Sequence, residues 1–147
     1  MPHFASMVKT EGIIALVASV REKANRFITD ELKKRGIIDI STPHGGIFVH
    51  LFRSGELSMG EIAQKIGRDK STVTALVKRL VDLGYVETSP SPSDSRVTMV
   101  TLTKKGAALE NDFNEISKGL LEKVYGGSTD LEREMLVRLL MRVNNNL

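Results

Sequence analysis

Ser71, Thr72, Thr74 and Lys78, four side chains able to hydrogen-bond, share the outward side of one short stretch, DKSTVTALVKR, residues 69–79. A hydroxyl can donate or accept at a base edge or a phosphate, and a lysine ammonium reaches a guanine or a phosphate. Ala75, set among them, offers a methyl group that can lie against a thymine methyl. A second stretch, PSPSDSR (residues 90–96), ends in Arg96. Pro90 and Pro92 stiffen its approach, and Ser and Asp supply turn chemistry. A stiff tip carrying an arginine suits a narrow, electronegative groove. Asp94 orients Arg96, or a backbone N–H, through a charge-assisted hydrogen bond, or serves as an ordinary turn residue.

Charge is distributed to match. The 147-residue chain has a formal net charge of +3. From Arg53 to Lys105 there are 9 Lys and Arg against 6 Asp and Glu, and the remainder is balanced at 12 of each. A localised basic excess is the footprint of a phosphate-binding surface. Arg53, Lys70, Arg79, Lys104 and Lys105 are the candidate phosphate contacts. With no Cys, neither a disulfide, a thiol switch nor a cysteine-based zinc site is available. His44 and His50 stand six apart, a poor spacing for a shared metal, so each reads as a capping or core histidine. His3 is expected in a frayed terminus. No metal or other cofactor is expected. There is no Walker loop, G-x-S-x-G, G-x-G-x-x-G or H-E-x-x-H, so the chain is read as no enzyme.

The elements that must hold these residues are legible in the periodicity. A first helix, from about Thr10 to Lys34, carries Ile13, Leu16, Val17, Val20, Ala24, Phe27, Ile28 and Leu32 at spacings of three and four. Its run GIIALVASV is too short to span a bilayer and is followed by no cleavage site, so neither a membrane nor a signal segment is expected, and a cytoplasmic location fits. Thr42 is read as the cap of a second helix with Pro43 at its first position. Ser58 and Glu61 have the spacing of a capping box for a short third helix ending at Gly67. Asp69 caps a fourth helix, Lys70 to Leu83, closed by Gly84. Then the period falls to two: YVETSP and RVTMVTLT read as two strands joined by SPSPSDS. Thr103 caps a fifth helix with Leu109, Phe113, Ile116, Leu120 and Val124 on one face. Thr129 and Glu132 open a last one.

A short helix, a tight turn, a longer helix and then a ribbon make a winged helix-turn-helix, mainly α with a small β-hairpin. On the fourth helix Val73, Leu76, Val77 and Leu80 must face the core, leaving the hydroxyls, Ala75 and Lys78 outward. In such units the second helix lies in the DNA major groove. The apolar stripes of the first, fifth and last helices exceed what that small core can cover, which leads to a homodimer, with packing around one core as the alternative.

These residues carry a family resemblance. DKSTVTALVKRLVDLGYVE, PSDSR and VTLTKKG together resemble the MarR family of winged-helix regulators, well over Ser58 to Gly106 and, in helix layout, over almost the whole chain. The resemblance implies one domain over residues 1–147, with dimerisation helices at 10–40 and 107–147 around a DNA-binding part at 43–106. It implies a homodimer on a palindromic operator in double-stranded DNA, acting as a ligand-responsive repressor. The helix 70–83 enters the major groove and the wing 87–99 the minor groove. It also implies a small phenolic or anionic effector bound between the two parts, near His44, Phe48 and His50. Three positions depart from the family pattern: Ser95, Thr88 beside Glu87, and Ala75 stand where basic residues are common. Weaker phosphate contact, or a different site, follows. The competing reading is a winged helix that binds protein without specific DNA binding.

Overall fold

The computed structural model describes residues 9–147, so His3 lies outside the described residues. A single 3-10 turn, Thr10–Gly12, leads into α1 (Ile13–Lys34), the expected first helix with a tighter start. α2 (Thr42–Ser54) follows, then β1 (Glu56–Ser58), α3 (Met59–Ile66), α4 (Lys70–Asp82), β2 (Val86–Pro90), β3 (Thr98–Leu102), α5 (Lys104–Ala107), α6 (Glu110–Val124) and α7 (Asp130–Asn146).

Three readings need correction. The cap of α2 is Ser41, not Thr42, which puts Pro43 second in the helix. The reason is His44: its Nδ1 accepts the Ser41 backbone N–H at 3.1 Å, doing at the third helical position what Glu does in the usual capping box. The hairpin is part of a three-stranded antiparallel sheet, ordered β1-β3-β2, because ELS pairs with β3 (Leu57 opposite Val100). Three residues are too few to show a period of two. The fifth helix is two helices, the break falling at Ala108-Leu109 after the one-turn α5.

The core explains the spacing of the sequence. Ile47, Phe48 and Leu51 of α2, Ile62 of α3, Val73, Val77 and Leu80 of α4, and Val86 and Val100 of the sheet are all at most 2% exposed. Phe48 packs on Phe52, Tyr85 and Phe113 with ring centroids 5.9, 5.5 and 5.1 Å away, tying α2 to the wing base and to α6. Gly67 closes α3 with φ of 65°, the left-handed conformation that lets the chain turn tightly into α4. Gly106 is required for another reason: a Cβ there would lie 2.1 Å from the Tyr85 carbonyl oxygen.

Burial divides the outer helices unevenly. In α1 the stripe is split: Leu32 is buried and Phe27 and Ile28 pack on the core, while Leu16 is 64% and Val20 52% exposed. Ile116 of α6 is buried with Leu109 and Phe113 beside it, yet Leu121 and Val124 are exposed. No residue of α7 is buried.

Candidate nucleic-acid interface

Asp69 begins the site. Its carboxylate accepts the Thr72 backbone N–H at 2.7 Å and the Ser71 hydroxyl at 3.0 Å. The first of these bonds, then the others, hold its pKa below the ordinary carboxylate value. α4 is thus fixed at its first turn by an ionised cap. Val73, Val77 and Leu80 anchor the inner face, and Ser71, Thr74, Ala75 and Lys78 lie exposed on the other. Thr72 is half-buried at the shoulder. The Thr74 hydroxyl donates back to the Lys70 carbonyl at 2.8 Å.

The far end of α4 is fixed as firmly. The Lys105 ammonium donates to the Leu83 carbonyl at 2.6 Å and sits 4.4 Å from the Tyr85 ring centre. Thr103 donates to the Gly84 carbonyl at 2.6 Å, and its hydroxyl also accepts the Gly106 N–H. Lys105, expected at phosphate, is therefore engaged by the protein, satisfying a carbonyl at the helix end. Lys70, Lys78, Arg79, Lys104 and Arg53 are exposed and make no ion pair among the described residues. After burial, the Arg79 charge opposes protonation of His44.

At the wing, Asp94 holds Arg96 from three directions. Its carboxylate accepts the Arg96 backbone N–H and Nε, both at 3.1 Å, and Nη2 at 3.3 Å. The Arg96 side chain is nonetheless 90% exposed. Ser91 N–H to the Val97 carbonyl at 2.8 Å and Val97 N–H to the Asp94 carbonyl at 3.0 Å close the loop. The result is an arginine presented on a bonded turn, free on its outer side.

The residues expected around an effector separate. Phe48 is wholly buried, and His44 is 8% exposed with Nε2 lacking a partner among the described residues; neither lines either of the neighbouring clefts. Two clefts lie beside them. One, of about 240 Å³, is apolar and lies between α1, α2 and α6, with Ile28, Leu32, Val49, Phe113, Ile116 and Leu120 among its walls. The other, of about 300 Å³, is lined by Arg21, His50, Lys65 and Arg68 with Thr42 and Gly46, and among the described residues no carboxylate lines it. Thr42 and Gly46 border both. Of the residues expected near an effector His50 lines this second cleft, while Arg21, Lys65 and Arg68 were not foreseen because they lie on α1, α3 and the turn after α3 without any common spacing. No cluster of His, Asp or Glu that could hold a metal occurs among the described residues, and no described helix is long and apolar enough to cross a membrane.

Comparison with known proteins agrees with this arrangement. The sequence pattern of the MarR family matches residues 38–97. The chain is 34% identical over 110 residues to the HTH-type transcriptional repressor IacR of Pseudomonas putida, covering 75% of this chain and 66% of that one. It is 31% identical over 98 residues to the HTH-type transcriptional regulator YdgJ of Bacillus subtilis, covering 66% and 59%. The match thus spans less than two thirds of the length of either relative. A crystal structure of mutant MarR from E. coli complexed with operator DNA superposes with a TM-score of 0.79 at 24% identity, over 92% of this chain and 99% of that one.

Proposed function

The chain belongs to the MarR family, and from that premise we propose that it is a sequence-specific DNA-binding transcriptional repressor acting as a homodimer. The observation that carries this reading is the pairing of α4, whose exposed face is hydroxyls, a methyl and a lysine, with a wing that presents Arg96 outward. α4 lies in the major groove and the wing reaches the adjacent minor groove. The uncovered apolar faces of α1 and α7 are the dimer interface. A twofold pair of such units reads half-sites about 34 Å apart, or a multiple of it. Footprinting on the DNA upstream of the chain's own gene tests the reading: two symmetric protected segments are expected. An unprotected fragment, with no protection elsewhere in the genome, would favour the protein-binding alternative.

The effector reading is finer. The apolar cleft accepts an aromatic ring and the adjoining basic cleft an anionic group, so an aromatic carboxylate fits better than a neutral phenol. Burial first, then the charges of Lys65 and Arg53, hold His50 below its ordinary value, so it stays neutral at pH 7 and leaves the anion to the cations. Calorimetric titration with benzoate and with phenol separates the two. Benzoate binding lost in Arg21→Ala supports the reading; equal binding of both, indifferent to Arg21, contradicts it.

A further inference from the structure

We infer that Ser71 and Thr74 read the operator only as hydrogen-bond acceptors, selecting bases with an exocyclic amino group in the major groove over keto bases. This rests on the DNA-binding reading above. A hydroxyl has one hydrogen to give and two lone pairs. The Thr74 hydroxyl lies 2.8 Å from the Lys70 carbonyl oxygen, which can only accept, so its hydrogen is spent inside the helix. The Ser71 hydroxyl lies 3.0 Å from Asp69 Oδ1. Asp69 caps α4 as an ionised, acceptor-only group, so that hydrogen is spent as well. What both side chains turn to solvent is lone pairs.

The major groove answers lone pairs unequally. Adenine N6 and cytosine N4 donate there, while guanine O6 and N7 and thymine O4 accept. A spent hydroxyl therefore attracts the two amino bases and is repelled by the two keto ones. Donating to a base instead would mean giving up that internal bond. Ser71 and Thr74 are three apart on one face, with side chains roughly 5–6 Å from each other, a span of one to two base steps. Ala75 lies between them and Lys78, and its methyl against a thymine methyl tips the choice towards adenine on one strand. Thr72, which makes no side-chain hydrogen bond among the described residues, is the hydroxyl left able to donate.

The test is selection of tight-binding duplexes from a randomised pool by the full chain, followed by single-atom changes in the selected site. Nebularine replaces each adenine, and 2-pyrimidinone each cytosine, so that one exocyclic amine is lost at a time. At one or two positions per half-site the dissociation constant should rise roughly tenfold. The same loss should vanish in Ser71→Ala or Thr74→Val, whose melting temperatures and far-UV spectra confirm the fold. Sensitivity to nebularine assigns adenine, and sensitivity to 2-pyrimidinone assigns cytosine. Selected guanine or thymine at the hydroxyl-dependent positions would overturn the inference. So would variants that lose equally on selected and scrambled DNA, which would place the hydroxyls on phosphate. A pool that yields no enriched sequence would overturn the DNA-binding reading itself, and the two failures are thus told apart.

Discussion

Arg96 and His44 show how much of the behaviour expected of this protein sits in single side chains. Asp94 restrains Arg96 without covering it, so on the proposed reading the guanidinium would reach DNA with little left to order. Arg96→Ala should weaken operator binding by about 1–3 kcal/mol and leave the melting temperature unchanged, as paired anisotropy and thermal melts would show. An unaltered affinity would remove the wing from the interface. His44 gives a pH dependence. Burial first, and then the Arg79 charge, lower its pKa from the ordinary 6.5, and Nδ1 cannot take a proton while it accepts the Ser41 N–H. Below pH 6.5 the unfolded chain takes up a proton that the folded chain resists, so stability falls as pH falls. His50 is lowered too and adds a dependence of the same sign. His44→Gln keeps an acceptor for the Ser41 N–H and removes the titration. Denaturant melts between pH 7.5 and 5.5 should therefore show a shallower slope in the variant, and an identical slope would assign the effect to His50.

At the scale of elements, the caps explain what was legible in advance. Ser58 with Glu61, Asp69, Thr103 and Thr129 with Glu132 all cap where their spacing says they should, because a cap is a local bond between neighbours in sequence. α4, with its buried and exposed faces, was readable for the same reason. What was not readable depends on partners far along the chain. β1 exists because β3 offers Val100 to Leu57, and Lys105 leaves the phosphate set because Leu83 and Tyr85 lie beside it. The acidic pair Asp112 and Glu115, at 2.9 and 2.6 Å from Arg35, joins the end of α1 to α6 and has no signature in spacing. Lys105→Met tests the reassignment. It should lower stability by about 1 kcal/mol and leave the salt dependence of DNA binding as it was. A shallower salt slope would return Lys105 to phosphate. Gly106→Ala is the harsher probe, since the added methyl meets the Tyr85 carbonyl. A loss of about 3 kcal/mol in a denaturant melt is expected.

Across the whole molecule, the uneven burial of α1 and α7 decides the state in which the chain works. Leu136 and Leu140, 45% and 43% exposed, lie on one face of a helix that buries nothing within its own chain. On the proposed reading a second copy covers that face. The wild type should sediment as a dimer, and Leu136→Glu as a folded monomer of 16.2 kDa with much weaker operator binding. Twofold symmetry, α4 and the wing then act together, and DNA binding is where all three meet. The measurement that tests this most directly is anisotropy of a labelled duplex from the chain's own upstream region, against a scrambled duplex, at two salt concentrations. Tight binding to the first, selective over the second and falling steeply with salt, is the expected result. No binding to either duplex at either salt would contradict it and leave a winged helix that binds protein.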